Sequence, residues 1–232
     1  MNHKEFIATM IVYIVTLIIA LLLSNITNII SNYHYAKLKR LLKEKGIILK
    51  TLLISIKSEV IQLPEAANVE VKMRKNYKYN CFYGSNTVGI STQWLYDYVN
   101  EDFTSVRSFE ELFFSICHEL GHKHYHDNKL TFNITPSQIL KARMKEIRAD
   151  LYAKKISGYD NVEASRVISL KISRAKLNMK QSFYSAHPSW SIRAYCIANF
   201  SNYEENEEAI RTLCKHNLYI SQTKLNNIYL SR

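Results

Sequence analysis

An uncharged stretch near the N-terminus constrains the architecture of this chain more than any other feature. Phe6 to Leu23 reads FIATMIVYIVTLIIALLL, eighteen residues without a charged side chain. A helix of about 20 residues spans the ~30 Å hydrocarbon core of a bilayer, so this stretch is long enough to cross it. A secretory signal peptide has a shorter apolar core that ends in small residues, whereas Leu23 is followed by Ser24-Asn25-Ile26. We therefore predict a retained membrane anchor within residues 1–32, embedded through residues 6–23.

Basic residues are concentrated directly after the predicted anchor. Lys4 before the anchor is offset by Glu5, whereas only Glu44 opposes the basic residues on its other side. Those residues are Lys37, Lys39, Arg40, Lys43, Lys45 and Lys50. Lysine and arginine favour the cytoplasmic side of a membrane span, so we predict a single-pass protein whose C-terminal body lies in the cytoplasm. Residues 33–63 are predicted to form a basic juxtamembrane helical segment that can contact anionic lipid headgroups. An ordinary first helix of the domain is the alternative.

The amino-acid composition indicates which class of protein the residues after the anchor can form. Five Gly and three Pro among 232 residues disfavour a turn-rich barrel and favour helices. The four cysteines show no C-x-x-C spacing, so we predict buried or free thiols rather than a disulfide scaffold. A net charge of +11 suits an anionic partner, with a lysine-rich solvated surface as the alternative. We nevertheless expect no nucleic-acid binding, because the sequence has no helix-turn-helix, aromatic RNA-binding platform or dense basic stripe.

Residues 64–232 are predicted to form one domain that is mainly α with a small β-sheet, an α+β fold. Alternating apolar residues within 69–92 predict strands around a turn at Gly84-Ser85-Asn86. Most of the domain beyond these strands has the periodicity of helices. Three of these helices are predicted over 161–180, 188–200 and 203–217.

Two earlier helices are predicted from their end signals. Ser108 and Glu111 form a capping-box pattern, which predicts a helix from about Phe109 to Asp127. Thr135-Pro136 and Gly158 mark the two ends of the next helix. Because only about eight residues join these helices, we predict an antiparallel hairpin.

The first helix of this hairpin carries the sequence His118-Glu119-Leu120-Gly121-His122. Residues four apart lie on one helix face, so His118 and His122 can bind the same Zn²⁺ ion. Glu119 is rotated by about 100° from His118 around the helix axis. It lies beside the metal, where it can accept a proton from the attacking water. Chance histidines on a surface helix are the alternative, which the apolar neighbours Ile116 and Leu120 disfavour.

A catalytic zinc ion also needs a third protein ligand and an open position. A histidine six residues after His122 would satisfy a related pattern, but that position is Asn128. Histidines 124 and 126 are predicted to be solvated near the helix end. Glu146 and Asp150 lie four apart on the partner helix, so one carboxylate can bind the metal while the other accepts the N–H of a ligating histidine. A solvent-exposed charged face is the alternative.

Four patches of the sequence, taken in order, resemble one peptidase family. Asn80-Cys81-Phe82-Tyr83-Gly84 precedes H-E-L-G-H and E-I-R-A-D-L-Y-A, and His187-Pro188-Ser189-Trp190-Ser191-Ile192-Arg193 comes after them. This arrangement resembles the gluzincin zinc peptidases of metallopeptidase family forty-eight, which include the type I CAAX prenyl proteases and the bacterial heat-shock membrane protease. The resemblance covers roughly residues 69–193. It implies a gluzincin-type zincin catalytic domain behind one N-terminal transmembrane helix.

The resemblance also implies a role for each matched residue. One zinc ion per chain would be bound by His118, His122 and Glu146. Glu119 would be the general base and acid, and Asp150 would support a ligating histidine. The oxyanion would be stabilised by Asn80 and His187, and a polypeptide substrate, which could itself be a membrane protein, would add as a strand near residues 80–90.

Two departures from the family pattern limit what can be transferred. His122 and Glu146 are separated by 24 residues, fewer than is usual in that family, and only one hydrophobic span is present. A prenyl-protein substrate is therefore not inherited. The compact spacing also resembles the ImmA/IrrE-type regulatory zinc peptidases, which usually lack the anchor and the H-P motif. We expect a membrane-anchored zinc metalloendopeptidase at the cytoplasmic face, with an ImmA/IrrE-like peptidase or a non-catalytic membrane-tethered zinc-binding protein as alternatives.

Overall fold

Helices dominate the computed structural model, which describes residues 3–78, 80–101, 106–127, 135–174 and 187–215. The α-helices are α1 (His3–Glu44), α2 (Leu49–Val60), α3 (Thr92–Asn100), α4 (Val106–His124), α5 (Pro136–Ser157), α6 (Asn161–Arg174), α7 (Trp190–Asn199) and α8 (Glu207–Lys215). The strands are β1 (Glu70–Arg74), β2 (Cys81–Gly84) and β3 (Thr87–Ser91). Within the described residues this confirms the prediction of a mainly helical protein with a small sheet.

Helix α1 runs unbroken for 42 residues, from the predicted anchor into the predicted juxtamembrane segment. It contains an 18-residue window with a mean hydropathy of 2.9, so it is long and apolar enough to span a membrane. Leu21, Leu22 and Leu23 are 57–59% exposed, unlike the side chains of a core helix. Near the other end of α1, Leu38 and Leu42 are buried in the main hydrophobic core. The domain therefore packs on the C-terminal part of the same helix.

The sheet has three strands in the order β1-β3-β2, with β3 parallel to β1 and antiparallel to β2. Ser85 and Asn86 connect β2 to β3 and have φ angles of 49° and 54°. Two consecutive residues with positive φ are the signature of a tight hairpin turn, which confirms the predicted turn. All five residues of β3 are buried. Strand β2 is left at one edge of the sheet, beside α4.

The hairpin of α4 and α5 is antiparallel, because His122 approaches Glu146 while His118 approaches Asp150. Both predicted ends of α5 are confirmed. The Thr135 hydroxyl accepts from the backbone N–H of Gln138, and Gly158 ends the helix in the left-handed conformation.

The predicted ends of α4 are wrong by about three residues. The helix begins at Val106, so Ser108 lies inside its first turn rather than at the N-cap, and it ends at His124 rather than Asp127. None of Val106, Arg107 and Ser108 is a helix-breaking residue, so the helix includes them.

Helices α4 and α5 approach each other most closely where Gly121 meets Ala149. A Cβ atom on Gly121 would lie 3.0 Å from Ala149 Cα and 3.1 Å from its carbonyl oxygen. Contacts this short leave room for a hydrogen atom only, so the small residues let the two helix backbones pack closely. This packing sets how near Glu146 comes to the two histidines of α4.

A Gly121→Leu variant should therefore force the two helices apart. We expect a loss of stability of about 1–3 kcal/mol from overpacking, together with weaker metal binding. Thermal unfolding and metal titration of the full chain would measure both effects. A Leu substitution at the exposed residue Lys141 of α5 is the matched control, and equal behaviour of the two variants would contradict the close packing.

The remaining helices complete a second and a third cluster of buried apolar side chains around α4 and α5. Helix α6 agrees with its prediction as far as Arg174, and predicted residues 175–180 lie outside the described part of the chain. Helices α7 and α8 fall within their predicted ranges, and residues 216 and 217 are likewise not described. All four cysteines, at positions 81, 117, 196 and 214, are free and buried as predicted.

Candidate metal centre

The side chains of His118 and His122 on α4 and of Glu146 on α5 lie close together. His118 Nε2 and His122 Nε2 are 3.1 Å apart. Glu146 Oε2 lies 3.5 Å from the first of these nitrogens, and Glu146 Oε1 lies 3.4 Å from the second. The structure therefore brings together the three predicted ligands, each of which is largely buried.

These separations can be compared with those around a metal ion. A tetrahedral ion with bonds of about 2.0–2.2 Å holds its ligand atoms about 3.3–3.6 Å apart. The two Glu146 separations are measured to different oxygens of its carboxylate, and one ligand atom from each of the three side chains lies within 4.8 Å of the others, so the group could hold one metal ion. Burial by itself would raise the pKa of Glu146, but hydrogen bonds from histidines 118, 122 and 187 hold it well below its usual range. The carboxylate is thus ionised, as a ligand must be.

Asp150 supports His118 from the side opposite the triangle. His118 Nδ1 donates to Asp150 Oδ1 at 2.8 Å, which leaves Nε2 directed at the other two ligands. Burial would raise the pKa of this carboxyl, but the Arg193 guanidinium and His118 lower it to about 2. The structure thus gives Asp150 the position that was predicted for it.

Arg193, for which the sequence predicted no role, holds Asp150 in turn. Its Nε donates to Asp150 Oδ2 at 2.7 Å and its Nη2 donates to Oδ1 at 2.6 Å, which makes a bidentate ion pair. Its Nη1 also lies 3.7 Å from Glu146 Oε2. Ser189 caps α7 by accepting from the N–H of Ile192, which places Arg193 in the first turn of that helix. The capping residue Ser189 is a sequence signal for the start of α7, but it does not indicate that Arg193 contacts Asp150.

Asp127 is a second supporting residue that was not predicted. Its Oδ2 lies 3.6 Å from His122 Nδ1, and its Oδ1 accepts from Arg148 Nη2 at 2.7 Å. Asp127 is mostly buried, and its Oδ2 makes no hydrogen bond within the described part of the chain. Each candidate ligand histidine therefore has a carboxylate behind its outer ring nitrogen. No spacing rule identifies Asp127, because it lies beyond the end of α4.

Glu119 stands beside the triangle rather than in it. It is half-buried and lines the same cleft, and it makes no hydrogen bond or ion pair with any residue that the structure describes. Burial raises the pKa of its carboxyl, while histidines 118 and 122 counteract part of that effect. The carboxylate is thus available to a water molecule or substrate in the cleft.

The cleft has a volume of about 460 Å³ and opens above the triangle. Both predicted oxyanion-stabilising residues line it. His187 Nδ1 lies 3.2 Å from Glu146 Oε2, although the side chain is 70% exposed. This hydrogen bond raises the pKa of His187. Asn80 forms backbone hydrogen bonds with Ser91 of β3, and the residue lines the cleft.

Two other nearby histidines stay out of the triangle, as predicted. His124 stacks on Tyr152 and lies 3.2 Å from Glu65 Oε1. His126 is exposed and has a φ of 54° just beyond the end of α4. Neither belongs to the group of side chains that could hold a metal among the described residues.

The arrangement as a whole comprises a triangle of side chains that could hold a metal ion, two carboxylates behind its histidines and a free carboxylate in an open cleft. Comparisons of the chain with protein-family models, with curated proteins and with solved structures found no match. The chemistry of the cleft is therefore what supports an assignment of function.

Proposed function

We propose that this chain is a membrane-anchored zinc metalloendopeptidase that hydrolyses peptide bonds of protein substrates at the cytoplasmic membrane face. The observation that carries the proposal is the triangle of His118, His122 and Glu146, with separations of 3.1–3.5 Å and Glu119 beside it. Two imidazoles and one carboxylate are the ligand set of many hydrolytic zinc sites. The gluzincin resemblance of the sequence agrees with this assignment.

The chain's own residues supply the proton transfers. When bound, the zinc ion would polarise the scissile carbonyl and make the attacking water more acidic. Glu119 accepts the proton of that water and later delivers it to the leaving amine. Its raised pKa suits this exchange, because the carboxylate becomes a stronger base. His118 is held in the correct tautomer by Asp150, which Arg193 keeps ionised.

The oxyanion that develops on the substrate needs hydrogen-bond donors. His187 and Asn80 line the cleft on the substrate side and are the candidates. The raised pKa of His187 favours the imidazolium, which carries an N–H at both ring nitrogens. One N–H can bond to Glu146 while the other points towards the oxyanion.

The edge strand β2 offers a binding site for the substrate backbone. The carbonyl of Asn80, just before β2, accepts from the Ser91 N–H, so the hydrogen-bonded positions of the antiparallel ladder are every second residue, namely Phe82 and Gly84 within β2. Because backbone groups alternate in direction along a strand, the N–H and C=O groups of Cys81 and Tyr83 point away from β3. A substrate strand can add there through main-chain hydrogen bonds and lie across the cleft.

Helix α1 is the proposed anchor, and the basic residues beyond its apolar part favour a cytoplasmic position for the catalytic domain. Its exposed apolar side chains would then face lipid rather than water. The lysines and Arg40 beyond them can contact anionic headgroups.

The test is hydrolysis of unfolded casein by the purified full chain in detergent. We expect cleavage that stops when a chelator removes the metal and returns when zinc is added, with about one zinc ion bound per chain. Zinc binding without any cleavage would instead support the non-catalytic alternative. Absence of bound metal from the freshly purified protein would contradict both.

A further inference from the structure

Lys171 of α6 occupies an unusual position in the cleft. Its Nζ lies 5.2 Å from the ring centroid of Trp94 and 5.2 Å from that of Trp190. The same atom donates a hydrogen bond to Ser115 Oγ at 3.2 Å. Trp94 comes from α3, Ser115 from α4 and Trp190 from α7, so three helices besides α6 converge on one ammonium group. These are the only two tryptophans in the sequence.

The charge of Lys171 is incompletely satisfied by its surroundings. An ammonium group has three N–H donors, and the hydrogen bond to Ser115 uses one of them. No carboxylate lies within ion-pair distance of Lys171 in the described parts of the chain, and residues 175–186, which come after α6, contain no Asp or Glu. The indole faces attract a cation but accept no strong hydrogen bond. Two donors therefore remain for a group in the cleft.

The position of Lys171 relative to Glu119 makes this group part of the substrate site. Ser115 lies four residues before Glu119, so the two side chains share one face of α4 and are separated by about 6 Å along the axis, slightly more than one turn. Lys171, Ser115 and Glu119 all line the cleft, together with Cys81 of the edge strand β2. A substrate strand that adds to β2 would therefore have its scissile bond close to the Lys171 ammonium group.

We propose that Lys171 is a substrate-binding residue that receives a carboxylate next to the scissile bond, supplied by an Asp or Glu side chain or by the C-terminus of the substrate. The inference rests on the proposed peptidase function and adds to it a substrate class, namely peptides with a negative charge near the cleavage site. Trp190 lines this subsite, Trp94 packs against Lys171 from a buried position, and Ser115 orients the ammonium. A charged acceptor is favoured over a neutral one because charge-assisted hydrogen bonds are about twice as strong.

The two tryptophans provide a direct readout, because both flank Lys171. The probes are short alanine peptides without tryptophan, each with one Asp at a varied position, together with twins that carry Asn at the same position. A further pair has no Asp and ends in a free carboxylate or an amide. Intrinsic fluorescence would report the binding of each peptide to the zinc-loaded full chain carrying Glu119→Gln, so that peptides bind without being hydrolysed.

We expect at least one Asp peptide, or the free-acid peptide, to bind about tenfold more tightly than its neutral twin. The Asp arm and the C-terminal arm distinguish the two sources of the carboxylate. Adding Lys171→Met should abolish this difference, whereas adding Lys171→Arg should retain much of it. Lys141→Met removes a charge from an exposed residue outside the cleft and is the matched control.

Equal affinity of every acidic peptide and its neutral twin would overturn the proposal, even if Lys171→Met failed to fold. A preference that survived Lys171→Met in a protein with unchanged thermal stability would overturn it as well. If the unmodified chain cleaved casein but showed no preference for acidic peptides, the peptidase function would be supported and the Lys171 subsite would be refuted. Preferential binding of acidic peptides by a chain that hydrolyses nothing would support the subsite and refute the peptidase function.

Discussion

A Glu119→Gln variant is expected to keep its metal and to lower kcat for casein by about a hundredfold to ten-thousandfold, the usual contribution of a general base. The amide has nearly the shape of the carboxylate but cannot accept the proton of the attacking water. Because Glu119 makes no hydrogen bond or ion pair with the described residues, its replacement should disturb little else. Metal analysis and initial rates of casein hydrolysis would measure the two quantities on the same preparation.

Two further variants make this result decisive. His122→Ala removes a proposed ligand and should lose both metal and activity, which separates the loss of the base from the loss of the site. Glu208→Gln makes the same chemical change at a residue of α8 whose side chain is 86% exposed, and should behave like the unmodified chain. Undiminished hydrolysis by the Glu119→Gln variant would assign the base elsewhere.

Sequence patterns a few residues long predicted those parts of the fold that depend on interactions between residues close together in the chain. The cap at Thr135 and the left-handed Gly158 set the ends of α5 through interactions within a few residues. The spacing of His118 and His122 predicted their shared face, because four residues make about one helical turn. The start of α4 was missed because a capping-box pattern at Ser108 also fits the first turn of a helix that begins earlier.

Contacts between distant segments were beyond such signals. Arg193 and Asp150 are 43 residues apart, and Lys171 and Ser115 are 56 apart. No periodicity links residues at these separations, since the contacts depend on how α6 and α7 pack on the hairpin. Asp127 was missed for a related reason, because its position depends on the path of the chain after α4. The ligands of the candidate site were thus predictable, whereas most of the groups that support them were not.

Removing the Arg193 side chain should destabilise the protein more than any other change at the site. Arg193→Met would leave Asp150, which is fully buried, without its cation. Breaking a buried ion pair by removing one partner costs about 3–5 kcal/mol, because the remaining charge is uncompensated. We expect a loss of this size in the free energy of unfolding of the metal-free full chain in detergent. Arg211→Met, at an exposed pair on α8, should cost less than about 1 kcal/mol.

The double variant Arg193→Met with Asp150→Asn tests whether the buried charge causes this loss. Asparagine is neutral and can still accept the hydrogen bond from His118, so the double variant should be more stable than Arg193→Met alone. Such non-additivity is the signature of two groups that interact directly. If Asp150→Asn instead destabilised the Arg193→Met protein further, the pair would contribute by packing alone. The orientation of His118 would then depend on other contacts, and the metal affinity of the two variants would differ little.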